Sequence, residues 1–155
     1  MHPHAQLITR FYAAFAQRDW AAMADCYHPD IHFTDEVFDL HREQAGLMWK
    51  MLCLRGSGLK LDYGSIAADD ARGQAHWEAR YVFSATGRPV HNIIDAEFEF
   101  RDGLIARHRD RFDFWAWSRQ ALGASGWLLG WSGLLRRKVQ AEAARNLAAF
   151  ERKGG

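Results

Sequence analysis

After Gly56 and Gly58 the apolar residues change from helical spacing to strict alternation, and helical spacing returns only at Trp115. Upstream of that switch, Leu7, Ile8, Phe11, Tyr12 and Phe15 recur at helical intervals and predict an amphipathic helix over residues 5 to 17. Asp19 can cap a second helix that carries Trp20, Met23 and Tyr27, with Pro29 closing it. A short strand from Ile31 to Thr34 leads into Asp35, and residues 42 to 54 give a third helix with Ala45, Met48, Trp49 and Leu52 on one face. Downstream, alternation predicts strands at 59–68, 74–85, 89–101 and 104–114, with Gly73, Gly87 and Gly103 at the hairpin turns. Helices followed by antiparallel hairpins specify an α+β fold rather than a parallel sheet.

The chain of 155 residues fits one such domain. Its 10 Phe, 7 Trp and 4 Tyr are more rings than a core of this size needs, so some of them are expected to line a pocket for an apolar ligand. With 20 basic against 19 acidic side chains and no basic stripe ahead of the C-terminal end, nucleic acid is not an expected partner. Cys26 and Cys53 are too few and too far apart for a disulfide framework or zinc site, and read as reduced core thiols. The first residues carry neither a basic start nor an apolar signal core, which points to the cytoplasm. His28 and His32 are four apart, but Pro29 and the strand separate them, and no other histidine spacing forms a ligand pattern; no metal is expected.

After the last strand, residues 115–122 read as a helix, Gly123 to Gly126 as a break, and Trp127 to Phe150 as a further helical run. Trp127, Leu128, Leu129, Trp131, Leu134 and Leu135 precede Arg136, Arg137 and Lys138. That order can mark an interfacial membrane helix, though packing on the chain's own domain or on a second subunit is the commoner outcome. No apolar run approaches the roughly 20 residues of a membrane span.

Four strings in order resemble the nuclear transport factor 2-like superfamily, which includes ketosteroid isomerases, limonene epoxide hydrolases and SnoaL-type polyketide cyclases. They are Phe-Tyr-Ala-Ala-Phe with Asp19, Cys-Tyr-His-Pro-Asp-Ile-His-Phe-Thr-Asp at 26–35, Thr-Gly-Arg-Pro-Val at 86–90, and Phe-Arg-Asp-Gly-Leu-Ile-Ala-Arg-His-Arg-Asp-Arg-Phe-Asp at 100–113. The resemblance implies a cone: a strongly curved sheet wrapped around the N-terminal helices, spanning residues 1–118. Residues 119–155 would then form a C-terminal extension packed on the domain or on a partner. The same likeness implies a homodimer and a small apolar ligand, with no cofactor.

Two carboxylates stand out within that frame. Asp35 follows the first strand at the position resembling the catalytic base of ketosteroid isomerases, although an Asp there also suits a turn. On the last strand, alternation puts Ala106, His108, Asp110 and Phe112 on one face and Arg107, Arg109 and Arg111 on the other. His108 and Asp110 are therefore expected inside, where a carboxylate is costly unless paired or used. In cyclases and epoxide hydrolases of this group an essential Asp lies at about that place.

On the preceding strand, counting back from Gly103 gives Asp95 the position of the protonated Asp of ketosteroid isomerases. Alternation instead sends His91 and Asp95 outward and Asn92 and Phe98 inward, and only a β-bulge would reconcile the two. Asn92 is the preferred pocket residue, with Asp95 and His91 behind it. Tyr27 matches a supporting tyrosine of the family, whereas the oxyanion-donor position holds Phe11, with Tyr12 beside it but turned about 100° around the helix. Phe11, Phe15, Trp49, Trp77, Tyr81, Phe98 and Phe112 are the expected walls. Epoxide-hydrolase chemistry also wants an inward Arg, and Arg80 falls on the strand face opposite Trp77 and Tyr81.

Overall fold

The computed structural model describes residues 1–56 and 58–154. Helix α1 (Pro3–Ala16) starts with Pro3 in its first turn, where a missing N–H does no harm, and with His2 accepting a bond from the backbone of His4. Asp19 caps α2 (Trp20–Asp25) by accepting from the Ala22 N–H at 3.0 Å. That helix is shorter than expected. The chain turns extended at Tyr27, and Pro29 lies inside strand β1 (Tyr27–Thr34), where the register with its neighbour breaks. A short strand that alternation did not reveal, β2 (Asp39–His41), folds back on β1 before α3 (Glu43–Arg55).

Four longer strands follow: β3 (Lys60–Ala68), β4 (Arg72–Phe83), β5 (Arg88–Arg101) and β6 (Leu104–Arg111). The sheet order is β2-β1-β6-β5-β4-β3, antiparallel throughout except for the β1–β6 pair, so the α+β expectation holds with a mixed sheet. Asp102 and Gly103, both at positive φ, form the two-residue turn between β5 and β6 that the right-handed twist of the strands favours. Gly73 is not a turn residue. It lies within β4, and a Cβ there would stand 2.7 Å from Ile8 Cδ1, so its smallness lets α1 approach the sheet.

The main core lies between α1, α3 and the inner sheet face, with Phe11, Phe15, Phe33, Trp49, Trp77 and Phe98 all buried. Cys26 and Cys53 are buried free thiols at its edge. A second cluster forms where α4 (Phe114–Leu122), capped by Asp113, lays Phe114, Trp117 and Ala121 over Val90. The expected single helical run over 127–150 divides into α5 (Ala124–Leu129) and α6 (Gly133–Arg152), with Ser132 capping α6. Leu147 and Phe150 of α6 join the main core.

Two glycines give opposite expectations. Gly126 sits against α4 so closely that an added Cβ would lie 1.9 Å from the Ser118 carbonyl oxygen, whereas Gly46 in α3 has open space around it. Gly126→Ala should lower stability by about 1–3 kcal/mol through forced separation of α4 and α5. Gly46→Ala should raise stability by about 0.5–1 kcal/mol by relieving helix-interior glycine. Chemical denaturation of the two variants checks both signs.

Candidate active site

The inner sheet face carries a directed row of hydrogen bonds. Trp49 from α3 donates its indole N–H to the Tyr27 hydroxyl at 2.8 Å. An indole nitrogen can only donate, so the Tyr27 oxygen accepts and its own O–H points to His108 Nδ1, 2.8 Å away. His108 Nε2 then carries the ring proton and donates to Asp110 Oδ1 at 2.9 Å. Trp77 from β4 donates to the same oxygen at 3.3 Å. Burial, with the Asp110 charge adding, pushes the Tyr27 hydroxyl well above its usual range, against a smaller pull from the Trp49 bond, so it stays a donor.

His108 is fully buried, with the rings of Phe11, Tyr27, Phe33, Trp49 and Phe98 all centred within about 6 Å of it. The sequence grouped His108 and Tyr27 with the residues that act on a ligand. In the structure both are buried and bonded in a row that ends on Asp110. Phe11, Phe33 and Phe98 are likewise the walls of this histidine cage.

Asp110 and His108 do share the inner face, but Ala106 does not lead them. Ile105 pairs with Phe100 and Arg107 with Glu99, so Ala106 is an extra residue in β6 and Ile105 takes the inward place. The bulge thus exists, but beyond Asp95. Pairing of β4 with β5 runs unbroken through His76↔Asp95, and Asp95 is 77% exposed on the outer face. There Asp95 binds His76 at 2.8 Å and, with Glu78, holds His76 above its usual range. His91 donates to Glu78 on the same face. Neither Asp95 nor His91 reaches the interior.

Asp35 follows β1 and does two things. Its Oδ1 accepts from the Val37 and Phe38 N–H groups at 2.7 and 2.6 Å, the local turn its residue type suits. Burial nevertheless pushes its carboxyl up to about 7, with the charges of Asp110 and Glu36 adding to the rise. Oδ2 of Asp35 and Oδ2 of Asp110 have no protein partner among the described residues. Two further polar groups lie within electrostatic reach of these carboxylates, the Tyr12 and Tyr81 hydroxyls, and a third, Asn92, lies on the same sheet face. The Tyr12 hydroxyl is buried with no hydrogen bond, and burial and the Asp110 charge hold it well above its usual range. The side-chain amide of Asn92, inward between Val90 and Ile94, is half-buried and likewise unpartnered. Tyr81 feels the Asp35 charge and accepts a bond from Trp117 Nε1 at 2.8 Å.

Trp117 and the hold on the Asp35 loop were not foreseen. Trp117 belongs to α4, which closes over Tyr81, Phe83, Phe112 and Val37. Glu36, next to Asp35, is paired with Arg136 of α6, and its carbonyl accepts from Gln140 at 3.1 Å. A tryptophan one helical turn past the last strand was the available signal; the Glu36 contacts had none in the sequence. Phe15 packs edge-on against Trp49 and Trp77, which lie tilted against each other.

Among the described residues, one group could offer three metal ligands: His32, Asp39 and His41, with ligand atoms within 4.8 Å. The two imidazoles lie stacked 4.0 Å apart with their Nε2 atoms 2.6 and 3.8 Å from Asp39 Oδ1, and Arg107 bonds to His32 Nδ1 on the outer face. Arg80, too, is on the outer face, bound to Asp62 at 3.0 Å.

A model of the SnoaL-like domain matches residues 8–108. Among solved structures, the chain is similar to TerC co-crystallised with polyporic acid (TM-score 0.65, 19% identity, covering 77% of this chain and 98% of that one). It is also similar to an LEH-like epoxide hydrolase from M. tuberculosis (TM-score 0.64, 18% identity, covering 82% and 96%). A candidate polyketide cyclase from Xanthomonas campestris pv. campestris gives a TM-score of 0.62 at 20% identity, covering 76% and 96%. These likenesses establish the cone fold. No curated protein matches the sequence.

Two expectations follow from the geometry. Tyr27→Phe removes the hydroxyl between Trp49 and His108 and leaves two buried polar atoms unpaired. It should cost about 1–3 kcal/mol in urea denaturation, and less when Trp49→Phe removes one of those atoms as well. Asp35 gives a pH signature. The folded chain keeps that proton up to about pH 7, whereas an unfolded carboxyl releases it near 4. The folded state then binds more protons in this window, so stability declines as pH rises through it. Asp35→Asn keeps the turn acceptor and should flatten that decline, by at most about 4 kcal/mol at pH 8.

Proposed function

We propose that this chain, which belongs to the SnoaL-like domain family, is an enzyme that moves a proton on a small, largely apolar molecule bearing a carbonyl oxygen. The observation that carries the reading is Asp35: a carboxyl lifted to about 7, with one oxygen locked in a turn and the other unpartnered, within the field of Asp110. A group of that kind takes and returns a proton near neutral pH.

In this reading Asp35 Oδ2 removes a proton from the carbon beside the substrate carbonyl. The electron pair moves onto the carbonyl oxygen, which accepts bonds from the Tyr12 hydroxyl and the Asn92 amide. Two outcomes balance. Asp35 returns the proton to another carbon, which is isomerisation. Alternatively the enolate carbon attacks a second carbonyl of the same molecule and the proton goes to the new alkoxide, which is cyclisation. Asp110, oriented by His108, Tyr27 and Trp49, keeps a negative charge near Asp35 and so raises its basicity. Trp77, Tyr81, Phe112 and Trp117 supply the apolar surround. Epoxide hydrolysis is the weaker variant, because the Arg it calls for is not inside; Arg80 pairs with Asp62 on the outer face. A binding module without turnover is the second reading, favoured by the structural bonds that Asp35 Oδ1 makes to Val37 and Phe38.

The test is deuterium incorporation from D2O into a panel of cyclic ketones and 1,3-diketones, followed by NMR. The expected result is catalysed exchange beside the carbonyl with kcat/KM rising to a plateau through an apparent pKa near 7. Asp35→Asn should lower the rate by about 100-fold or more and Tyr12→Phe by about 10–100-fold. Ligands that raise the melting temperature yet exchange no proton would replace the enzyme with the binding module.

A further inference from the structure

We infer that the corner formed by α5 and the start of α6 is a docking surface for an anionic lipid bilayer. In an ordinary surface helix the large apolar residues face the protein and the small or polar ones face water. Here the arrangement is inverted. Gly126 and Gly130 are buried against α4, while Trp127 (59% exposed), Leu128 (66%), Trp131 (77%) and Leu134 (71%) face solvent together with Leu129. The other exposed large apolar side chains, Met1, Leu54, Tyr63, Val82 and Ile93, are scattered along the chain.

The corner is built, not frayed. A Cβ on Gly126 would lie 1.9 Å from the Ser118 carbonyl oxygen and one on Gly130 2.0 Å from the Ser118 hydroxyl, so both glycines let α5 sit close on α4. Trp115 donates to the Trp127 carbonyl at 3.1 Å, and Trp131 donates to the Leu128 carbonyl at 2.8 Å. These bonds fix the backbone from which the apolar side chains project.

Charge selects the partner. No Asp or Glu occurs between Asp113 and Glu142. Arg137 and Lys138 are exposed one turn after Leu134, on the same side of α6, whereas Arg136 is engaged by Glu36. Tryptophan and leucine beside unpaired cations match the headgroup region of an anionic membrane: indoles seat at the interface and cations meet lipid phosphates. A second copy fits less well, since a two-fold contact through the corner would bring Arg137 and Lys138 of both copies together. No helix among the described residues is long and apolar enough to cross a membrane, so the contact is peripheral.

The experiment is co-sedimentation of the full chain with vesicles of phosphatidylcholine alone or with 30–40% phosphatidylglycerol (roughly the range that gives a strongly negative surface). The expected result is binding to the anionic vesicles, a blue shift of tryptophan emission, and weakening by salt. Trp131→Ala with Leu134→Ser should reduce the affinity about tenfold or more, and Arg137→Glu with Lys138→Glu by at least about tenfold, both with unchanged melting curves. The inference is overturned if the wild-type chain stays free of anionic vesicles at low salt, or if the apolar double variant binds as well as wild type. It is also overturned if the same double variant converts a dimer into a monomer, which would make a second copy the occupant.

Discussion

The fold is organised around the problem of burying polar atoms in a cone lined with rings. Trp49, Tyr27, His108, Asp110 and Trp77 come from α3, β1, β6 and β4, and each finds its partner in another member of the row. In such surroundings an unmade hydrogen bond costs about 1–3 kcal/mol, so the row works as a ruler that fixes the spacing of four elements. Direction matters as much as distance. Because both ends are indole donors and the carboxylate only accepts, one tautomer of His108 satisfies every member. Asp110 is thereby held through one oxygen, with its charge felt by Asp35 and Tyr12.

The sequence made much of this legible, and the losses have physical causes. The change of period at Gly56 and Gly58 gives the order of elements, because helical and strand spacing are unlike over such lengths. Alternation also sorts Asp95 from Asp110 correctly, against the count from Gly103, since pairing of β4 with β5 has no irregularity near Asp95. What alternation cannot carry is its own interruption. The extra residue at Ala106 shifts the phase of β6, and nothing in the local sequence marks it. The end of α2 was misplaced for a related reason: Pro29 is compatible with a strand whose register breaks around it, and pairing with β2 and β6 made β1 long. Tyr12 was set aside because it points away from Phe11 on the helix. Both directions are interior, since α1 is enclosed by the sheet on more than one side.

The same residue type has two fates on the two faces of the sheet. Outside, Asp95, Glu78 and Glu97 are matched by His76, His91 and Arg111 in water, where such pairs contribute little and come apart easily. Inside, Asp35 and Asp110 have no Lys or Arg partner among the described residues; their partners are backbone N–H groups, one indole and an imidazole. Neutral donors leave a carboxylate's charge in place while the apolar surround resists it, and that tension lifts Asp35 to about 7. A guanidinium in the same place would remove the tension. The outward turn of Arg80 and of the β6 arginines is thus part of what keeps Asp35 basic.

Helix α6 links this tension to the rest of the molecule. The loop bearing Asp35 is short; its own bonds through Val37 and Phe38 define its shape, and the Thr34↔Asp39 pair at its base ties it to the sheet. A further hold comes from Glu36, bonded to Arg136 and Gln140 on the side of α6 that faces the domain. Leu134, Arg137 and Lys138 occupy the opposite side of the same helix turns. Because a helix transmits displacement along its backbone with little give, the exposed corner and the Asp35 loop share one rigid element. Their separation is two helical turns at most.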